Sequence, residues 1–121
     1  MILETTVLEA DEAAVARLVE VFYDRIRGDD RLGPIFTGAV HDWDAHIRIM
    51  QDFWSRALLG TERYQGCFMS PHFRLKLEGD VFDRFMELFR PTATETLPPD
   101  LAKRAVAIAE TVNNGIRQAM A

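Results

Sequence analysis

Apolar residues return along this chain at steps of three and four, the spacing of helices that bury one face. Val15, Leu18, Val19, Phe22 and Ile26 make the first such stripe, with Asp11 placed to cap its start and Gly28 to stop it. A second helix is expected from near Asp42 to Gly60, carrying Trp43, His46, Ile47, Met50, Phe53, Trp54, Ala57 and Leu58 at higher aromatic density. Asp80 can cap a third, with Val81, Phe82, Phe85, Met86 and Phe89 facing inward. Pro98-Pro99-Asp100 opens a fourth that buries Leu101, Ala105, Ile108, Ala109, Val112 and Ile116. Between the first two, Leu32-Gly33-Pro34-Ile35-Phe36 is expected to be a turn or a single helical turn that delivers Ile35 and Phe36 to a corner. No two-residue alternation with hairpin turns occurs, so the architecture is predicted to be all-α.

Composition sets the scale of that architecture. With 121 residues, 48% of them hydrophobic, the chain can bury one core and is too short for two, so residues 1–121 are expected to form a single domain. A net charge of −5 gives no basic field to draw nucleic acid or an anionic membrane. Cys67 is alone and cannot close an intrachain disulfide, and neither a leader segment nor a membrane span is legible, which points to the cytoplasm. The segment from Gly60 to Met69 is irregular, and loops of that length between packed helices often carry function.

Three polar side chains stand out against the apolar pattern. His46 lies on the face of the second helix that must pack inward, where an imidazole is costly unless its nitrogens find partners. His72 follows Ser70 and Pro71, a cap and a first helical residue, which puts a neutral imidazole in the first turn of a short helix, a good ligand for iron, copper or zinc. Tyr23 sits at the edge of the first apolar stripe, and a buried phenol needs a hydrogen-bond partner. Each has an ordinary alternative: a boundary histidine, a surface histidine and a backbone-bonded core tyrosine. His41, in the polar approach to the second helix, reads as solvated. No Gly-rich phosphate loop, His-Glu-x-x-His, Cys-x-x-Cys, Glu-x-x-His or serine nucleophile motif is present. What remains is a helical pocket with aromatic walls, one or two imidazoles and a phenol, an inventory that suits haem.

At this point the chain resembles a known family. Phe22-Tyr23-Asp24-Arg25-Ile26-Arg27, Leu32-Gly33-Pro34-Ile35-Phe36, Trp43 with His46, Asp52-Phe53-Trp54, Leu59-Gly60 with Arg63-Tyr64 and Gly66, His72, and Phe82 through Phe89 look, in order and spacing, like the group III truncated haemoglobins. The likeness runs from about Val15 into the last helix. It implies a truncated globin fold, a two-over-two helical sandwich around haem b (iron protoporphyrin IX), with His72 as the proximal iron ligand. It further implies that His46, Met50, Phe53 and Trp54 line the distal side, that Tyr23 reaches it from the first helix, that Phe36 supplies a corner aromatic, and that Arg63 and Tyr64 are candidates for the propionate edge. One position departs: Phe85 stands where the family usually carries tryptophan, which keeps an apolar wall and removes an indole N–H donor.

The resemblance implies O₂, NO, CO or peroxide as small ligands. When ferrous haem takes O₂, charge moves onto the ligand, so the Tyr23 phenol would hold O₂ more strongly than CO. His46 would be a second donor or a swinging gate; the residues leave both roles open. Redox turnover, resembling an NO dioxygenase or a peroxidase and supplied with electrons by an external reductase, suits two donors aimed at one ligand better than storage does. Oxygen binding, transport or sensing without turnover is the alternative, and a cofactor-free helical interaction module is a third class that leaves His72 and the aromatic face unexplained.

Overall fold

In a computed structural model of the chain, the backbone is described for residues 2–62 and 79–120 and the side chains for residues 9–62 and 79–118. Five helices occur among the described residues: α1 (Ile2–Gly28), α2 (Leu32–Ala39), α3 (Trp43–Leu59), α4 (Gly79–Thr96) and α5 (Pro99–Met120). Helix α1 packs on α3 and α4 on α5, while α1 crosses α4 and α3 touches α5. Two helix pairs therefore face each other as a sandwich, as the resemblance implies. No described helix is long and apolar enough to cross a membrane.

The expected stripes are the core. Val15, Leu18, Val19, Phe22 and Ile26 are each at most 2% exposed on α1, and Val81, Phe82, Met86 and Phe89 are buried on α4. Helix α3 keeps both predicted boundaries. The Asp42 carboxylate accepts from the Ala45 amide at 3.1 Å, and Gly60 closes the helix at φ 73°, a left-handed conformation that favours glycine. Pro99 opens α5, as its fixed φ suits a first helical residue.

Three local expectations need correction. Helix α1 begins at Ile2, so Asp11 lies within it and caps nothing; the residues before it continue the helix without a break. Helix α4 already includes Gly79, which puts Asp80 inside its first turn, where its carboxylate pairs with Arg31 at 2.6 Å. The Leu32–Phe36 corner is a helix of eight residues rather than one turn. Its start is capped from outside the helix: Asp29 accepts from the Arg31 amide at 3.1 Å and the Leu32 amide at 2.9 Å while also pairing with Arg84 of α4 at 2.6 Å. Burial pushes the Asp29 carboxyl up, but those three donors outweigh it and hold it below the usual carboxylate range.

Gly33 is what lets α2 lie so close to the end of α1. A Cβ there would stand 2.8 Å from the Arg27 carbonyl oxygen, too near for any side chain, so the glycine permits the approach that carries Phe36 into the core.

Candidate functional site

Phe22 and Tyr23 are neighbours on α1, about 100° apart around the helix, so they serve two different surroundings. Phe22 meets α4, edge to face with Phe85 at 4.9 Å and Phe89 at 5.1 Å between centroids. Tyr23 turns toward α2 and α3, with Phe36 at 6.3 Å, Trp43 at 6.1 Å and His46 at 4.9 Å. Two further rings lie nearly parallel to their neighbours: Trp54 stacks on Phe89 at 5.3 Å, and Phe85 lies parallel to Phe89 within 7°.

These rings enclose a cleft of about 600 Å³, its open mouth included. Tyr23, Phe36, Met50, Phe53, Trp54 and Phe85 all line it, so six of the residues singled out in the sequence converge here. His46 does not line the cleft; it stands behind Tyr23 with its ring edge-on to the phenol. Arg63, Tyr64 and His72 lie outside the described residues.

Other lining residues were legible only as core. Phe82 and Phe89 of α4, and Val112 and Ile116 of α5, read as buried stripe positions; Phe82, Phe89 and Ile116 are buried and Val112 half-buried, but all four also border the cleft. Asn113 was missed altogether. A polar residue at the interior position of an otherwise apolar stripe was the available signal. Its amide donates to the Phe82 carbonyl at 3.0 Å, bridging α5 to α4.

The cleft is thus apolar except at Tyr23 and Asn113. Tyr23 is 3% exposed, and burial pushes its phenol well above the ordinary tyrosine value, so it remains an O–H donor. No described residue bonds to that hydroxyl. A donor that no described residue engages, at the wall of an apolar cleft, is available to whatever the cleft holds. Parallel flat rings and scarce polar atoms suit a flat, largely apolar group held with one polar contact. No described histidine lines the cleft, and no cluster of three or more His, Cys, Asp or Glu among the described residues could hold a metal ion.

A group 3 truncated hemoglobin of Campylobacter jejuni is 29% identical to this chain, over 86% of the chain and 89% of that protein. The chain is a homologue of group III truncated haemoglobin. The crystal structure of group III truncated hemoglobin from Campylobacter jejuni aligns with a TM-score of 0.84 at 24% identity, covering 91% of each chain, which shows that the fold is shared. No family model matches the chain. With the truncated-globin fold in hand, the cleft between the α1–α3 and α4–α5 pairs is the space between the two layers of the sandwich.

Proposed function

We propose that the chain binds haem b in this cleft and uses it to hold O₂ and other diatomic ligands, with Tyr23 as the donor that steadies them. The observation that carries the reading is the Tyr23 phenol: buried, neutral, and without a hydrogen-bond partner among the described residues. Haem would supply a ferrous iron that takes a diatomic ligand and moves electron density onto it, more for O₂ than for CO. Phe36, Met50, Phe53, Trp54 and Phe85 exclude water from the macrocycle, and Phe82 and Phe89 extend that wall. His72, outside the described residues, is the iron ligand in this proposal, because no described imidazole lines the cleft and its setting after Ser70 and Pro71 favours a neutral ring. Arg63 and Tyr64 would meet the propionates.

Tyr23 donates its proton in a hydrogen bond and keeps it, since burial disfavours the phenolate. His46, edge-on at 4.9 Å, braces the phenol ring from behind. A donor fixed in this way retains its ligand, which suits redox use of O₂ with NO or peroxide better than storage with ready release. An external reductase would return the electrons.

Absorption spectra of the ferric, ferrous and CO-bound forms test the cofactor and its ligand together. The wild type is expected to purify coloured and to shift its main band on CO binding, and His72→Ala to lose the spectrum of an imidazole-ligated iron. A chain that takes up no haem, or a His72→Ala variant spectrally identical to wild type, overturns the assignment. NO consumption by the oxygenated protein separates redox use from oxygen binding without turnover.

A further inference from the structure

The Arg27 guanidinium lies over the Trp43 ring, 4.7 Å from its centroid. Two helix repeats bring it there. Tyr23 and Arg27 are four residues apart on the last turns of α1, and Trp43 and His46 are three apart on the first turn of α3, so each pair shares a face and the two faces meet. The contacts close a loop: Trp43 touches Tyr23 at 6.1 Å and His46 at 5.8 Å, and His46 touches Tyr23 at 4.9 Å. Exposure grades outward along the same path. Tyr23 is buried at the cleft, Trp43 and His46 are half-buried, and Arg27 is exposed.

Arg27 pairs with no described carboxylate, although five of its fellow arginines do: Arg25, Arg31, Arg84, Arg90 and Arg117. Its described contact is the indole. We propose that Arg27 is a positioning residue that acts through Trp43: the cation on the indole keeps the Trp43–His46–Tyr23 ring cluster packed behind the Tyr23 wall of the cleft. The inference rests on the diatomic-ligand reading above for its functional consequence, but the clamp itself is a property of α1 and α3.

An exposed cation over a half-buried aromatic contributes enough to change an open population by about two- to fivefold. In Arg27→Ala, hydrogen–deuterium exchange of a peptide covering residues 41–50 is expected to quicken by that factor, with the α4 and α5 peptides unchanged. CO association after flash photolysis should quicken by a similar factor. Arg27→Lys keeps a cation and should return both readouts to near wild type. Trp43→Leu should reproduce the effect, and Arg27→Ala should add nothing on top of it, because the two residues work as one contact. Unchanged exchange in residues 41–50 overturns the clamp, as does an Arg27→Ala effect that persists undiminished in the Trp43→Leu background. If the protein binds no haem, the functional reading fails while the exchange experiment still decides whether Arg27 holds Trp43. If haem binds and CO association stays the same in Arg27→Ala, the positioning role fails and the functional reading stands.

Discussion

The two ends of the cleft are built on opposite principles. At the α4 end, Phe85 and Phe89 lie parallel, with Phe22 edge-on to both and Trp54 stacked on Phe89, and none of these contacts involves a hydrogen bond. At the α1–α3 end, rings of similar size surround Tyr23, yet the cluster contains a phenol, an imidazole and an indole, each with a polar atom to satisfy. The first end is stabilised by ring packing, with the one Asn113 bond to the Phe82 carbonyl tying α5 to α4 beside it. The second keeps a phenol whose hydroxyl no described residue engages, while its ring packs on Phe22, Phe36 and His46. Under the proposed function, the contrast gives stability to one end and ligand handling to the other.

Truncating each end separately should break the molecule in different ways. Phe89 is 1% exposed and touches three other rings, so Phe89→Ala opens a cavity and is expected to cost about 3–5 kcal/mol of unfolding free energy, read as a lower denaturation midpoint at unchanged slope. Tyr23→Phe removes one oxygen and no described hydrogen bond, and should leave that midpoint at or above wild type. A loss of several kcal/mol from Tyr23→Phe would mean that the phenol is structural, and the division between the two ends would fall.

Ligand release should reverse the ranking. A hydrogen bond to a partly charged ligand contributes roughly 1.5–3 kcal/mol, so Tyr23→Phe is expected to speed O₂ dissociation by about ten- to a hundredfold. Stopped-flow release at the wild-type rate would show that Tyr23 does not hold the ligand. Phe85 sharpens the point, since phenylalanine gives the α4 end no donor where the family resemblance leads one to expect tryptophan. Phe85→Trp restores an indole N–H to that wall, and the release penalty of Tyr23→Phe should shrink in its background, because two donors then share one ligand.

The apolar end was far more legible in the sequence than the polar one. Helix periodicity depends on residue type alone, so Phe82, Phe85 and Phe89 announced a buried face before any coordinates, and Asp42 and Gly60 marked the ends of α3 by local chemistry. Periodicity has no means of telling a face packed on side chains from a face that borders a cleft, which is why Phe89 and Ile116 read as core. The α2 corner was underestimated for a related reason. Its cap comes from Asp29, outside the helix and tied to Arg84 some 55 residues away in sequence, a contact that local signals do not encode. His46 was correctly read as an inward imidazole, but which neighbour it faces depends on how α3 sits against α1, and the answer, Tyr23 rather than the cleft, is tertiary.

The smallest expected effect is an absence of change, and it discriminates well. Burial raises the Tyr23 phenol far above its ordinary value of about 10, because the low-dielectric surroundings penalise the phenolate. The donor is then fully protonated from neutral pH to well past 10, and O₂ release should be flat with pH across that range. The same shift has a stability consequence of fixed sign. Above the unfolded value the unfolded chain gives up the phenolic proton while the native state keeps it, so the native state binds more protons and stability falls as pH rises through 10 toward the native value. That decline should be present in wild type and reduced in Tyr23→Phe, with both proteins alike below pH 9. A release rate that climbs between pH 8 and 10 would show a phenol ionising near its ordinary value, hence one in contact with water, and the polar end of the cleft would then be a wet opening rather than a desolvated donor site.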